Sequence, residues 1–215
     1  MSMIELVGVR KAYPTAAGER EVIHDASVSV GGGEIVHLDG ASGAGKSTLI
    51  NLCGLLTQPT EGRVLVDGVD TTALGDRERT RLRARRIGMV FQSHRLLPEL
   101  TSVENLRVAA LVDDREAIAA GLVSFGLGEH LRDRAKLLSG GQQQRVAALR
   151  ALVNKPGLVL ADEPVSGLDG PNAEAILDRL AEAAAEGAAV IIASHDPRVE
   201  RIATRRLLVT EGSLA

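Results

Sequence analysis

The chain has 215 residues, which allows one or two domains with a sizeable buried core. Its net charge of −3 leaves no global basic field to hold a nucleic acid, and aromatic residues for stacking bases are nearly absent. One cysteine, Cys53, excludes an intrachain disulfide and a thiolate zinc cluster, and no apolar run approaches the ~20 residues of a membrane helix. Without a basic and apolar leader, the sequence predicts a cytosolic protein, so that any work at a membrane needs another polypeptide to span it.

Short strands dominate the first half of the chain. Ala26, Val28 and Val30 alternate with Ser27 and Ser29, which is typical of a half-buried antiparallel strand. The last helix of this half is rich in arginine, and we interpret it as a solvated face, with a partner-binding or membrane-edge role as the alternative. The predicted elements are strands at Ile4–Val9, Val22–Val30, Glu34–Asp39, Arg63–Val66 and Ile87–Phe91, and helices at Ser47–Leu56 and Asp76–Arg86.

Helical character begins after the fifth strand and gives way again to alternating strands and helices. Such alternation implies a parallel sheet covered on both faces. We therefore expect an α/β core at residues 1–92 and 139–215, with an antiparallel β region near the N-terminus, and an inserted helical subdomain at 93–138. The predicted elements are a helix opening at Ser102 with Thr101 or Ser102 as its cap, helices at Arg115–Phe125 and Pro171–Glu186, and strands at Leu158–Ala161, Ala188–Ala193 and Arg206–Val209.

A phosphate-binding loop is predicted between the third strand and the helix that follows it. Glycines in such a loop let backbone N–H groups point at phosphate oxygens, and the helix N-terminus adds a partial positive charge. Lys46 should bridge the β- and γ-phosphates, Ser47 should bind Mg²⁺, and Thr48 continues the start of the helix. The loop consists of Gly40, Ala41, Ser42, Gly43, Ala44, Gly45, Lys46 and Ser47.

Two acids, Asp162 and Glu163, end an apolar strand. Ligands of an open α/β sheet lie at the carboxyl ends of the strands, so these acids should lie beside the phosphates. Asp162 should hold Mg²⁺, directly or through water, and Glu163 is placed to polarise the attacking water. The alternative, two acids in an exposed turn, is disfavoured by the apolar residues before them and by the phosphate-binding loop.

A second phosphate-binding end is predicted at Ser139, Gly140, Gly141 and Gln142, where a hydroxyl, two glycines and a helix start come together. The order of phosphate-binding loop, Leu-Ser-Gly-Gly-Gln segment and acidic strand resembles the ATPase subunit of ABC (ATP-binding cassette) transporters over almost the whole chain. The resemblance implies a P-loop NTPase fold of the ABC type, ATP as substrate and Mg²⁺ as cofactor. It also implies a homodimer, or a pseudo-dimer with a related ATPase, in which this segment of one chain caps the γ-phosphate held by the other.

The resemblance assigns roles to four further residues. Gln92 matches the glutamine that contacts Mg²⁺ and water and couples the site to the membrane partner, and His195 matches the switch histidine that contacts the γ-phosphate. Asp169 matches the loop that crosses the dimer, and Tyr13 matches the aromatic residue that stacks on adenine. A surface glutamine, a structural histidine and a packed surface ring are the alternatives for Gln92, His195 and Tyr13.

The chain departs from the family pattern in two places. Val165 stands where the family usually has threonine, which removes a hydroxyl near the dimer seam, and the helical subdomain is shorter than usual, which puts the contact with the membrane subunit in doubt. The stretch at 90–101 is most similar to the branch of lipoprotein-release, macrolide-export and cell-division type complexes. Membrane partners in that branch transmit mechanical force, and cargo is recognised outside the ATPase chain.

Three functions remain to be separated. The resemblance favours an ATPase on the cytoplasmic face of the cell membrane, bound to an integral membrane permease-type subunit. A soluble ABC ATPase acting on nucleic acid or ribosomes is the alternative, although one cassette without an inserted arm argues against it. A small-molecule kinase with the same phosphate-binding loop would leave Ser139–Gln142 and His195 without a role.

Overall fold

The computed structural model describes residues 2–16 and 18–215, which form two β-sheets with helices packed against them. The strands are β1 (Ser2–Thr15), β2 (Gly18–Gly31), β3 (Ile35–Asp39), β4 (Glu61–Val66), β5 (Val69–Asp70), β6 (Ile87–Phe91), β7 (Leu158–Asp162), β8 (Ala189–Ala193), β9 (Arg205–Thr210) and β10 (Ser213–Leu214). The α-helices are α1 (Lys46–Cys53), α2 (Asp76–Arg86), α3 (Ser102–Ala109), α4 (Arg115–Ser124), α5 (Gly140–Leu152) and α6 (Gly170–Ala185).

The larger sheet has the order β10-β9-β3-β8-β7-β6, and all its neighbouring strands run parallel except β10 and β9. Its register aligns the strand ends, because Phe91 of β6 pairs with Asp162 of β7, which pairs with Ala193 of β8. Leu38 near the end of β3 pairs with the same Ala193. The loops after these four strands therefore leave the sheet at one edge, where ligands of α/β sheets bind.

Both faces of the larger sheet are buried. In β7, Leu158 and Leu160 pack into the core beneath the smaller sheet and α1, whereas Val159 and Ala161 pack into the core under α5 and α6. This two-sided burial explains why β7 and β8 are continuous apolar runs rather than alternating ones. The parallel sheet predicted from the alternation of strands and helices is present.

The smaller sheet is antiparallel and has the order β2-β1-β4-β5. Ala26 and Val30 of β2 are buried while Ser27 and Ser29 are exposed, as the alternation predicts. The first two strands extend beyond the predicted bounds, because register shifts in their pairing break the period-two pattern on which those bounds rested.

Strand β5 is absent from the sequence prediction. Asp67 and Gly68 both have positive φ, 51° and 75°, and they connect β4 to β5 with Val66 paired to Val69. A two-residue turn with two positive φ values is the standard connection of a tight hairpin, and Asp-Gly is one of its preferred sequences. The two residues that follow the turn are too short a segment for periodicity to reveal.

The helix after the phosphate-binding loop is shorter than predicted. Helix α1 ends at Cys53, and the N–H of Gly54 donates to the carbonyl of Ile50. Leu55 then adopts a left-handed φ of 55°, which stops the helix. Cys53 is buried, as expected of a structural thiol, and burial raises its pKa to about 12.

Helices α3 and α4 and the first half of α5 enclose a separate small core built from Leu106, Leu122 and Val146 with their neighbours. Thr101 caps α3: its side chain accepts from the N–H of Glu104, whose carboxylate accepts in turn from the N–H of Thr101. Because α5 also contributes to the core under the larger sheet, it joins the helical region to the α/β core, and the division at residue 138 stays a prediction.

The arginine-rich helix α2 matches its predicted bounds and contains no buried residue. Two of its arginines contact neighbouring segments, since Arg83 donates to the carbonyl of Leu55 at 3.0 Å and Arg86 pairs with Asp67 at 3.0 Å. The helix is thus a solvated face, as its charge indicates. Within the described part of the chain, no helix combines the length and apolar character that crossing a membrane requires.

Two left-handed glycines beside β4 provide a test of backbone crowding in the smaller sheet. A Cβ at Gly62 (φ 83°) would lie 2.2 Å from the carbonyl oxygen of Gly8, whereas a Cβ at Gly68 (φ 75°) would meet open space. Gly62→Ala should therefore lower the free energy of unfolding by roughly 2–4 kcal/mol, and Gly68→Ala by only about 1 kcal/mol. Urea unfolding measures both values, and equal losses would contradict this account of the packing.

Candidate nucleotide site

A cleft of about 620 Å³ lies at the edge of the larger sheet where β3, β6, β7 and β8 end. It brings together residues from the phosphate-binding loop, from the acidic end of β7 and from the ends of β6 and β8. Apart from Val22, every residue lining the cleft is a predicted site residue. The lining consists of Val22, Gly40, Ala41, Ser42, Gly43, Gly45, Lys46, Ser47, Thr48, Gln92, Asp162, Glu163 and His195.

The first turn of α1 lies in the wall of the cleft. Gly45 precedes this helix and supplies no side-chain cap, whereas Thr101 and Ser139 cap α3 and α5 with their hydroxyls. The N–H groups at this helix end are therefore free of a side-chain acceptor, and together with the helix dipole they form a site for an anion. Ala44 is buried in the loop, where its carbonyl accepts from the N–H of Gly212, and does not line the cleft.

Lys46 brings a positive charge to the cleft while remaining 9% exposed. Its ammonium donates to the carbonyl oxygens of Gly40 at 2.5 Å and Ala41 at 3.1 Å. These contacts fold the side chain back over its own loop and fix the charge beside the N–H groups of α1. The arrangement suits a triphosphate, whose oxygens can replace or share the two carbonyl contacts.

Ser47 and Asp162 approach each other across the cleft, and the Ser47 hydroxyl donates to the Asp162 carboxylate at 3.1 Å. Burial raises the pKa of Asp162, the nearby charge of Glu163 adds to this, and the Ser47 hydrogen bond opposes it. A cation beside Asp162 would stabilise its charged form. A hydroxyl and a carboxylate are the oxygen ligands that Mg²⁺ uses together with waters and phosphates, so the donor set fits this ion.

No group of three metal-binding side chains (His, Cys, Asp or Glu) occurs among residues 2–16 and 18–215. A zinc site of the structural type, which needs such a group, is therefore absent from these residues. A magnesium ion that shares its ligands with a nucleotide needs few protein groups, and Ser47 and Asp162 supply them.

Glu163 is held at both of its carboxylate oxygens. The buried Ser194 hydroxyl donates to one oxygen at 2.9 Å, and His195 Nδ1 lies 2.8 Å from the other. The backbone of Glu163 is left-handed, with φ of 49°, and its N–H donates to the carbonyl of Ala193 at 2.8 Å. A non-glycine residue keeps such a strained conformation only where its surroundings hold it, which is a feature of functional sites.

The hydrogen bond to Glu163, reinforced by its negative charge, raises the pKa of His195. Because the folded protein binds this proton more tightly than the unfolded chain, the pair stabilises the fold below the ordinary histidine pKa. That contribution is lost as the pH rises through the raised value. The imidazole of His195 remains 72% exposed and can therefore reach a ligand in the cleft.

Ser139–Gln142 and Asp169 lie outside the cleft but beside each other. Ser139 and Asp169 cap α5 and α6, and Asn172 donates to Asp169 through both its N–H and its side-chain amide. A Cβ at Gly141 would lie 3.1 Å from the amide of Asn172, so the two helix ends are in contact. The chain thus has one helix start in the cleft, whereas the predicted second phosphate-binding end at Ser139–Gln142 lies on a different surface.

A hydrogen-bonded chain orders the Ser139 end of α5. Gln142 Oε1 accepts from the N–H of Ser139 at 2.8 Å, so its Nε2 faces His130 Nε2 at 2.8 Å. His130 Nε2 must then be the unprotonated nitrogen, and Nδ1 donates to Asp133 at 2.7 Å. The sequence pattern predicts only a structural or surface role for His130 and assigns none to Ser194, because the contacts with Gln142 and Glu163 form only when the chain folds.

Tyr13 does not line the cleft. It lies on β1, where it pairs with Arg20 of β2, and the ammonium of Lys11 sits 4.8 Å from the centre of its ring. Val22, two residues after Arg20 on the same strand, does line the cleft. The ring is therefore near the rim of the site, and its role as an adenine-stacking residue stays a prediction.

The contact between Glu163 and His195 yields a titration test. Glu163→Gln removes the charge that favours the imidazolium, so the pKa of His195 should fall towards its ordinary value in the nucleotide-free protein. Proton NMR of the imidazole resonances measures the midpoint. Asp178→Asn, which alters an exposed ion pair with Arg201, is the matched control and should leave the midpoint of His195 unchanged. An unchanged midpoint in Glu163→Gln would show that the pair does not form in solution.

Comparison with known proteins places the chain in one family. The profile of the ABC transporter family matches residues 23–166. The lipoprotein-releasing system ATP-binding protein LolD of Anaeromyxobacter dehalogenans is 44% identical over 98% of this chain and 92% of its own length. The macrolide export ATP-binding/permease protein MacB of Syntrophobacter fumaroxidans is 42% identical over 99% of this chain, which spans 31% of that longer protein.

The fold has counterparts among solved structures. The dimeric, post-hydrolysis state of the ATP-binding cassette MJ0796 with ADP and Pi superposes with a TM-score of 0.91, at 35% identity over 99% of this chain and 96% of that one. The family resemblance and the ABC-type α/β fold predicted from the sequence are thereby confirmed. The chain belongs to the ABC transporter family and has the fold of its ATP-binding cassettes.

Proposed function

We propose that the chain is the ATP-binding and ATP-hydrolysing subunit of an ABC transporter-type membrane complex, working as a dimer with ATP held between two chains. The observation that carries the proposal is the separation of two phosphate-binding ends within one chain. The cleft contains the loop at 40–47, whereas Ser139–Gln142 lie on another surface beside Asp169. Two facing chains would bring each such surface to the partner's cleft, and the MJ0796 cassette was solved as a dimer.

The residues of the cleft divide the work of hydrolysis. Lys46 and the N–H groups at the start of α1 bind and orient the β- and γ-phosphates. Glu163 accepts a proton from the attacking water, a contribution worth about 10²–10⁴ in rate for a well-placed base. Each carboxylate oxygen can accept a second hydrogen bond, so the water can contact Glu163 while Ser194 and His195 hold it. Because Nδ1 of His195 faces Glu163, its Nε2 is available to donate to the γ-phosphate.

Ser47, Asp162 and Gln92 would hold Mg²⁺. The first two already lie within hydrogen-bonding distance of each other, and Gln92 is an exposed residue that lines the same cleft. The ion, when bound, neutralises negative charge that develops on the phosphate oxygens. Tyr13 would stack on the adenine at the rim of the site.

The remaining parts of the proposal concern the membrane. The MacB relative carries both names, ATP-binding and permease, and this chain spans only 31% of its length. It spans 92% of the LolD relative, which is named as an ATP-binding protein alone. These names support an integral membrane permease-type partner, with the present chain attached on the cytoplasmic face. Cargo would be selected by that partner.

The two alternative functions have less support. The net charge of −3 does not favour binding to nucleic acid. The LolD and MacB relatives are named for lipoprotein release and macrolide export. A small-molecule kinase would explain the cleft. It would not explain why Ser139 and Asp169 cap two helices that meet on a second surface.

Glu163→Gln should bind ATP, lose at least about a hundredfold in hydrolysis rate, and accumulate as a dimer. ATP then remains intact between the two chains and contributes part of the interface. Size-exclusion chromatography with and without ATP measures the shift, and a strictly monomeric protein at saturating ATP would contradict the shared site.

The matched control is the double variant Ser139→Arg with Glu163→Gln. It keeps every residue of the cleft except the base, so it should bind ATP with unchanged affinity. The arginine should block the second phosphate-binding end, so that the protein stays monomeric. A dimer in this variant would mean that Ser139 does not lie at the interface.

A further inference from the structure

The loop after β6 has an unusual backbone directly beside Gln92. His94 and Arg95 both adopt left-handed φ values, 51° and 49°. Two consecutive non-glycine residues in this region are strained, and they persist only where neighbouring groups hold them in place. Something outside the loop must therefore fix its conformation, and with it the position of Gln92 in the cleft.

Helix α5 supplies the contacts that hold the loop. The guanidinium of Arg150 donates to the carbonyl of Arg95 at 2.5 Å and to the carbonyl of His94 at 2.9 Å, so one side chain fixes both strained residues. The buried Gln144, also on α5, donates to the carbonyl of Phe91 at 3.3 Å, one residue before Gln92. The same amide donates to the carbonyl of Pro164 at 2.7 Å, one residue after Glu163.

Burying the charged side chain of Arg150 costs free energy, which indicates that its position does more than fill space in the core. Among the ion pairs of the described residues, none involves Arg150, and burial lowers its pKa. A partly desolvated guanidinium whose hydrogen bonds go to two carbonyls gains less than one paired with a carboxylate. Its two terminal nitrogens, however, each bond one of the two neighbouring carbonyl oxygens, a fixed fork that the single nitrogen of a lysine ammonium does not present.

The same helix begins at the second phosphate-binding end. Helix α5 runs from Gly140 to Leu152, with Ser139 as its cap, and spans roughly 20 Å at about 1.5 Å per residue. One rigid element therefore contacts the partner-facing surface at its start and the Gln92 loop near its end. In the dimer of the proposed function, these are parts of two different ATP sites.

We infer that Arg150, assisted by Gln144, is a positioning residue for Gln92, and that α5 couples the two ATP sites of the dimer. This inference rests on the proposed function. Engagement of Ser139 by the ATP held on the partner would orient α5, and Arg150 would pass that orientation to Gln92 in the chain's own cleft. If the partner holds no ATP, the Gln92 loop would lack this added restraint.

The first test compares Arg150→Lys with wild-type protein. The lysine keeps the charge but replaces two donor nitrogens by one on a shorter side chain, so amide hydrogen exchange in residues 92–97 should accelerate roughly tenfold while strand β7 stays protected. The kcat should fall by roughly tenfold or more, because Gln92 is misplaced, and the affinity of the monomer for ATP should stay within about twofold.

Arg179→Lys is the matched control. Arg179 also donates to a backbone carbonyl, that of Ser124, and lies over a phenylalanine ring, Phe125, but it is on α6 and does not line the cleft. This variant should leave exchange at 92–97 and kcat unchanged. If Arg150→Lys does not fold, Gln144→Met, which removes the other anchor of the loop, should give the same local acceleration of exchange.

The second test addresses the coupling. In Glu163→Gln protein, ATP should slow exchange at 92–97 as the dimer forms. In the Ser139→Arg, Glu163→Gln control, where ATP binds without a dimer, most of that slowing should be absent. Adding Arg150→Lys to Glu163→Gln should remove the slowing even where the dimer forms.

Two outcomes would overturn the inference. If amide exchange at 92–97 and kcat in Arg150→Lys equal those of the wild-type protein, Arg150 does not position Gln92. A uniform acceleration of exchange across the sheet, with kcat lost in proportion to stability, would assign Arg150 a packing role only. Failure of the proposed function would look different, since wild-type protein would then lack ATPase activity and Glu163→Gln would stay monomeric.

Discussion

Parallel pairing of the four strands β3, β6, β7 and β8 is the constraint on which the rest of the molecule depends. These strands are buried on both faces, so their backbone hydrogen bonds have no competition from water and their register cannot slip without exposing an apolar face. The register sets Phe91, Asp162 and Ala193 level with one another. As a result, Gln92, Glu163 and His195, which lie one or two residues beyond these positions, line one cleft although about a hundred residues separate the first from the last.

The same constraint accounts for the strained backbone at this edge. A chain leaving the end of a parallel strand has to turn within one or two residues if its side chain is to stay in the cleft. Glu163 does so with a left-handed φ, and His94 and Arg95 do so after β6. Contacts from other segments hold each turn, with Ser194 and Ala193 beside Glu163 and with Arg150 beside the loop. The rigid sheet and these contacts thus fix the positions of Glu163 and Gln92 in the cleft.

The fold and the cleft were accessible from the sequence to different degrees. Continuous apolar runs such as 158–161 and 189–193 predict strands buried on both faces, and the spacing of Gly40, Gly45 and Lys46 predicts the loop, because local patterns determine both. Strand order and the extent of the bulged hairpin β1–β2 depend on pairing between distant segments. The contacts of Ser194, His130 and Arg150 arise only after folding, when one side chain meets a carboxylate, an amide or a carbonyl from elsewhere in the chain.

The buried thiol of Cys53 has a practical consequence for the chemistry of the whole chain. It is the last residue of α1, the helix that follows the phosphate-binding loop, and burial raises its pKa to about 12. A thiol in this state is almost entirely protonated at neutral pH, so oxidants and maleimides react with it slowly. A cysteine introduced on the surface would be the single reactive thiol of the chain, which gives each chain of an assembly one defined point for a label or a cross-link.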